Sequence, residues 1–313
     1  MKISLVGAGN IGGTLAHLAI TKKLAQEVVI LDINKGVASG KALDIAQSMP
    51  VAGASVKVIG TDDFSYLSNS SVVIVTAGIA RKPGMSRDDL LNTNARIIKD
   101  VGQKIAKFAS EAFVIVVTNP LDAMAWAMHK ATGFETHKVV GMAGILDTSR
   151  MNLFLAQELD VCPTDVSSLV LGSHGDSMVP LIRYSTVSGI PLEQFIKNGA
   201  ISRDKVDFIV ERTKSGGIEI VNLLKSGSAY YAPAASAMQM AESYIKDQKK
   251  ILPCSVCLKN HYGVQDQTFC GAPVLINKEG AKKIIDLDLT KQESDMFNNS
   301  VALARQLISK VSL

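Results

Sequence analysis

The sequence predicts an α/β protein with a doubly wound parallel sheet over residues 1–144 and an α+β part over residues 145–313. Three observations carry this. Near-continuous Val/Ile runs alternate with helix-like segments through the first half, which marks strands covered on both faces. After "GILDTSRMNLFLAQEL" the pattern changes to hairpin-like strands and long amphipathic helices. No Pro/Gly/Ser-rich linker separates the halves, so they are expected to share a fixed interface.

The elements follow in order. "KISLVGAG" is a short apolar strand, and "IGGTLAHLAITKKL" after it has helical spacing. "EVVILDI" is again strand-like and "GKALDIAQSM" helical. Further strands are expected in "VKVIG", "SVVIVTAG", "AFVIVVTNP" and "KVVGMAG", with "LDAMAWAMHKAT" as a helix between the last two. In the second half "VSSLVLGSHGDSMVPLIRYSTVSGIPL" reads as hairpins, and helices are expected over about 202–226 and 229–247. Strands in "ILPCSVCL" and "APVLINK" precede a closing amphipathic helix in "TKQESDMFNNSVALARQLISKV".

The chain has 313 residues, 47% of them hydrophobic, enough for a sizeable core. Its net charge of +4 is too weak to argue for nucleic acid or an anionic membrane, so attraction of a ligand must be local. No apolar run reaches the roughly 18 residues of a membrane span. "MKISLVGAG" reads at once as strand and turn, so no leader peptide is expected. Four cysteines without framework spacing point to a reduced, cytoplasmic protein. Cys254 and Cys257, with His261 and Cys270 downstream, match no usual zinc spacing; the first two sit three apart in a strand-like run and should face opposite sides. They read as structural, as do Met238 and Met240.

"GAGNIG" supplies Gly7, Gly9 and Gly12 as G-x-G-x-x-G between a strand and a helix. The first glycine serves the tight turn, the second close approach to a pyrophosphate, and the third helix–strand packing. Asp32 closes the second strand twenty residues beyond Gly12, where a carboxylate accepts both ribose hydroxyls and repels a 2′-phosphate. This is the fingerprint of a Rossmann domain, and it favours NAD over NADP.

Hydride chemistry also needs an acid–base group and an anion site. Of five histidines, His17 and His129 lie in helical patterns, His137 lies in a polar turn, and His261 follows the cysteine pair. His174 lies in the loop "LGSHGDSMVP", flanked by glycine, and is the candidate. Asp147 and Arg150, three apart at a helix start in "GILDTSR", share a face. A buried Asp147 would fix the imidazole tautomer and stabilise the imidazolium. A third candidate element is "GIARKPGMSRDD", residues 78–89, a loop with Arg81 and Arg87 on either side of Pro83–Gly84.

"GAGNIG", "ARKPGMSRDDLL", "VTNPLD", "GMAGILDTSR" and "GSHGDSMVP" occur in the order and spacing of the lactate/malate dehydrogenase family. The chain resembles most its malate-oxidising, lactate-dehydrogenase-like bacterial branch, from Met1 into the last helix. The resemblance implies reversible oxidation of malate to oxaloacetate, a step of the tricarboxylic acid cycle, with lactate or another 2-hydroxyacid as the alternative substrate. It implies that His174 accepts the proton with Asp147 as partner, and that Arg150 holds the C1 carboxylate by a bidentate pair. Asn119 would contact substrate and cofactor, while Asn10, Ile11, Asn94 and Val117 would contact the cofactor. Arg87 would polarise the ketone. Ser173 departs from the Gly or Glu common before the histidine. The stretch "KSGSAYYAPAASA", residues 225–237, resembles the family's substrate-side helix; its Gly227, Ser228 and Ala229 would leave room for the substrate side chain. A homotetramer or homodimer is also implied.

Charge selects the substrate. Oxaloacetate carries two carboxylates, and an unpaired buried charge costs about 3–5 kcal/mol. Arg150 answers one; Arg81 is the expected partner of the second, since lactate enzymes of the family usually lack an arginine there. A protein that only binds NAD would lack His174 or Asp147, and both are present.

Overall fold

A computed structural model describes residues 1–79 and 86–312. The first half consists of β1 (Lys2–Val6), α1 (Asn10–Thr21), β2 (Glu27–Leu31), α2 (Lys35–Ala52), β3 (Lys57–Thr61), β4 (Val72–Val75), α3 (Arg87–Phe108), β5 (Phe113–Val116), α4 (Leu121–Thr132) and β6 (Val139–Gly141). All six strands run parallel in the order β3-β2-β1-β4-β5-β6. This is the doubly wound order, whose loops at the carboxyl ends of the strands form the ligand crevice.

Alternation along each strand builds two cores. Ile3, Leu5, Val28, Ile30, Val72 and Ile74 face one side, against α1 and α2. Val6, Leu31, Val73, Val75, Val114 and Val116 face the other, against α3 and α4. Each fully buried aliphatic side chain contributes about 1.5–3 kcal/mol, so both faces hold the sheet.

The second half continues with α5 (Gly144–Leu159), β7 (Val166–Ser167), β8 (Val170–Leu171), β9 (Val179–Pro180), β10 (Thr186–Val187), β11 (Ile190–Pro191), α6 (Leu192–Lys197), α7 (Arg203–Leu224), α8 (Tyr231–Ile245), β12 (Lys250–Cys257), β13 (Phe269–Asn277), β14 (Gly280–Ile284) and α9 (Lys291–Ser309). Met151, Leu155, Val170, Leu192, Val206 and Ile209 form its own core. Strands β12, β13 and β14 do not stay apart from the first half. They join β6 antiparallel, with Ser255 opposite Gly141, and extend the sheet to nine strands. Helix α8 likewise packs its Ala234, Ala237 and Met238 into the core on the α1 side, and Tyr244 stacks on Phe113 of β5 at 4.7 Å.

Helices α7 and α8 occupy the two stretches expected, separated by an irregular turn at residues 225–230 with Lys225 and Gly227 at positive φ. The family-like stretch from Lys225 is therefore a turn before it is a helix. The loop read over 78–89 also ends earlier than its composition suggests, because α3 begins at Arg87. Ser86 caps it: the Ser86 hydroxyl accepts from the Asp89 N–H, and the Asp89 carboxylate accepts from the Ser86 N–H. A capping box overrides loop-like composition.

Candidate active site

The glycine loop leaves β1 with Gly7 at φ +112°, a conformation open to glycine alone without strain. A methyl group on Gly12 would lie 1.9 Å from the Gly7 carbonyl oxygen, so the turn closes only with glycine at both places. At Gly9 an added Cβ would meet nothing within 4 Å. Gly9 is the N-cap of α1 and provides no side-chain cap, so the first N–H groups of that helix face the open space. A cradle of this kind fits a pyrophosphate. Asp32 stands just past β2 and fastens the loop: its Oδ2 accepts from Ala8 N–H at 2.7 Å and its Oδ1 from Asn34 N–H at 2.9 Å. A carboxylate has about four acceptor positions, so capacity for ribose hydroxyls remains. Asn10 opens α1 on the same loop; Ile11 and Val117 line a cavity of about 160 Å³ beside it, together with Asn119, Arg150, His174, Ser228 and Ala229.

His174 lies in the β8–β9 hairpin connection, and Asp147 and Arg150 lie in the first turns of α5. The hairpin sets the imidazole against the helix. His174 Nδ1 and Asp147 Oδ2 are 2.9 Å apart, and Arg150 Nη1 donates to Asp147 Oδ1 at 3.3 Å. Asp147 is 1% exposed, while the His174 side chain keeps 21% of its surface open. The Asp147 charge raises the His174 imidazole above its ordinary value, against burial and the Arg150 charge. Burial lowers the Arg150 guanidinium and Asp147 opposes that, though an arginine stays charged throughout. With Nδ1 engaged, Nε2 is the nitrogen left to exchange a proton.

Asn119, just past β5, is exposed and lines both the small cavity and a larger one of about 730 Å³ that also contains Arg87 and His174. Asn94 is buried and committed to backbone. Its Nδ2 donates to Ile79 O and Asn119 O, and its Oδ1 accepts from Ile79 N–H. One acceptor position on Oδ1 is all it keeps for a cofactor. Arg87 enters from the first turn of α3. Arg81, the expected partner of a second carboxylate, lies outside the described residues. Of the expected residues, His174, Asp147 and Arg150 thus meet through hydrogen bonds, Asn119, Arg150 and His174 share the smaller cavity, and Arg87, Asn119 and His174 share the larger.

Other contributors were not foreseen. Gly216 and Gly217 sit within α7 where Arg150 packs against it; a Cβ on Gly216 would lie 3.0 Å from Arg150 Cδ. Two adjacent glycines inside an expected helix, each costing about 1 kcal/mol, were the available signal. Asp122 of α4 is 5% exposed and lines the larger cavity, where it accepts from the Ser173 and Ser255 hydroxyls, each at 2.6 Å. Nothing local separates it from any acidic residue in a helix's first turn. The cysteines do divide as expected, with Cys254 packed in the α1-side core and Cys257 in the α3-side core. Met238 and Met240 are core residues.

Sequence and structure comparisons bear on the family and the fold. The model of the lactate/malate dehydrogenase NAD-binding domain matches residues 1–141, and that of the family's α/β C-terminal domain matches 145–312. The chain is 58% identical over 308 residues to a malate dehydrogenase of Neorickettsia sennetsu, covering 98% of each chain. Among solved structures it resembles a malate dehydrogenase of Cryptosporidium parvum with a TM-score of 0.96 and 44% identity, covering 99% of this chain and 98% of that one. A lactate dehydrogenase of the same organism, complexed with lactic acid and nicotinamide adenine dinucleotide, is also 44% identical, with a TM-score of 0.94 and 98% and 96% coverage. Backbone likeness alone therefore does not choose between the two substrates. With the nucleotide crevice, the His174–Asp147 pair and two domain models spanning nearly every residue, the chain belongs to the lactate/malate dehydrogenase family.

Proposed function

We propose that the protein is an NAD-dependent malate dehydrogenase that interconverts (S)-malate and oxaloacetate. The observation that carries the reading is the His174–Asp147–Arg150 constellation beside Asn119, at the carboxyl edge of a dinucleotide-type sheet. Identity of 54–58% to malate dehydrogenases over nearly the whole chain supports the choice of substrate.

In malate oxidation His174 Nε2 takes the C2 hydroxyl proton, and Asp147 stabilises the imidazolium that results. Bound NAD supplies the acceptor for the C2 hydride. In the reverse direction the imidazolium returns the proton to the developing alkoxide, and Arg87 polarises the ketone. Acid–base help of this kind is worth roughly 10²–10⁴-fold. Arg150 clamps the C1 carboxylate, and its fixed, planar fork suits a bidentate pair. Arg81 answers the second carboxylate, which would otherwise cost about 3–5 kcal/mol as an unpaired buried charge.

The test is NADH oxidation with oxaloacetate, pyruvate and 2-oxoglutarate, in the native chain, Arg81→Gln and His174→Asn. Oxaloacetate should dominate, Arg81→Gln should lower the oxaloacetate-to-pyruvate ratio of kcat/KM, and His174→Asn should abolish turnover with NADH binding kept. A native preference for pyruvate favours the lactate reading, for which the likeness to the lactic acid complex speaks.

The same reading makes the protein a cytoplasmic enzyme of the tricarboxylic acid cycle and a homotetramer or homodimer. The four free cysteines support a reducing compartment. Exposed Leu43 on α2 and Ile218 and Leu223 on α7 support self-association, which light scattering measures directly.

A further inference from the structure

The residue before His174 is anchored on three elements. Ser173 N–H donates to the Ser300 hydroxyl of α9 at 2.7 Å, and Gly172 pairs with Gly271 of β13 through both backbone hydrogen bonds. The third anchor is Asp122 of α4, which takes the Ser173 hydroxyl on Oδ2 and the Ser255 hydroxyl of β12 on Oδ1. Both distances are 2.6 Å, within the range of hydroxyls donating to an ionised carboxylate. Asp122 also sits in the first turn of α4, where the helix N-terminus favours negative charge. It lines the same cavity as His174. Nothing in the acid–base step described above uses this carboxylate.

We propose that Asp122 is a positioning residue for the acid–base pair: as a carboxylate it holds Ser173, and through Ser173 the His174 loop, and places a second negative charge behind the imidazolium. The inference rests on His174 being the acid–base group. Among the described residues, the charges acting on the imidazole are Asp147 and Arg150 from α5 and Asp122 from α4. Asp176 on its own loop, Arg87 and Asp88 of α3 and Lys310 beyond α9 complete the cavity wall. Asp88 and Lys310 pair with each other at 3.0 Å, and among the described residues Asp122 is the second buried carboxylate, after Asp147, acting on His174. Burial raises the Asp122 carboxyl, and the two serine hydroxyls and the His174 charge oppose that. Its negative charge in turn helps raise His174.

Oxaloacetate reduction needs the imidazolium, so its kcat/KM falls as pH rises through the His174 pKa. The test is this profile for native enzyme, Asp122→Asn and Ser173→Ala, with NADH binding measured alongside. Asn is isosteric and still reaches both serines but carries no charge. Ala at residue 173 removes one of the two donors that hold the Asp122 carboxyl down against burial. In each variant the falling limb should move to lower pH by at least half a unit, with NADH affinity within about twofold of native. Single-turnover NADH oxidation extends the measurement to slow variants. A limb in its native position overturns the inference, as does a variant that binds NADH normally and turns over at no pH. If Asp122→Asn does not fold, Ser173→Ala decides by the same criterion. His174→Asn separates the two levels: turnover retained there overturns the acid–base assignment itself, whereas a dead His174→Asn with an unmoved Asp122→Asn limb overturns only the role of Asp122.

Discussion

Asp147 uses its two oxygens on two functional side chains, His174 Nδ1 at 2.9 Å and Arg150 Nη1 at 3.3 Å, while only 1% of it meets solvent. One carboxylate thus orients both the proton carrier and the carboxylate clamp. Asp147→Asn should lower kcat for oxaloacetate reduction by at least ~10²-fold and move its falling limb to lower pH. A steady-state pH profile measures both. Because folding raises His174, the pair stabilises the fold fully below the ordinary histidine value of 6.5 and loses that contribution as pH rises through the folded value. Thermal melts across that window should show the loss in native protein and a flatter response in Asp147→Asn.

Gly216 lies where Arg150 passes α7, with 3.0 Å between an added Cβ and Arg150 Cδ. Gly216→Val should push the guanidinium off its line and raise KM for oxaloacetate about tenfold or more. NADH affinity should stay native, since the pyrophosphate cradle lies on α1. Fluorescence titration with NADH beside steady-state kinetics distinguishes the two.

Ser86 and Asp89 cap the helix that begins with Arg87. Ser86→Ala should cost about 1 kcal/mol of stability, read by urea unfolding, and should weaken kcat more than NADH binding because Arg87 loses its fixed start. The serine also holds the Asp89 carboxyl below its ordinary value. Its contribution is present above the unfolded carboxylate range and fades as pH falls through the folded value, so the variant and native melts should converge in acid.

Phe113 is 1% exposed and stacks on Tyr244 with an interplanar angle of 9°. The contact ties the central sheet to a helix from the other half. Phe113→Ala should lower unfolding free energy by about 3–5 kcal/mol and, under denaturant titration, leave one cooperative transition.

The elements legible in the sequence are those whose cause is local. Continuous Val/Ile runs announce β1, β2, β4 and β5, and the glycine spacing before α1 announces the nucleotide loop. His174, Asp147 and Arg150 were visible because motif order carries them. The Asp122–Ser173–Ser255 link was not, since its members lie on α4, the hairpin loop and β12 and meet only in three dimensions. Joining β12 to β6 was equally hidden, for nothing in either segment names its partner. The start of α3 was legible in principle, as Ser86-x-x-Asp89, yet the surrounding Pro, Gly and Arg outweighed it.

Strand β6 has β5 on one side and β12 on the other, with Ser255 opposite Gly141. A growing polypeptide makes β6 long before β12 leaves the ribosome. Until then, β6 is paired with β5 on one side only, and its other edge, where Ser255 later meets Gly141, lies open. The nascent chain is therefore most open to misassociation when its nucleotide-binding part is already made. A truncated gene product ending near α5 would keep that edge permanently and should aggregate rather than persist as a small NAD-binding module.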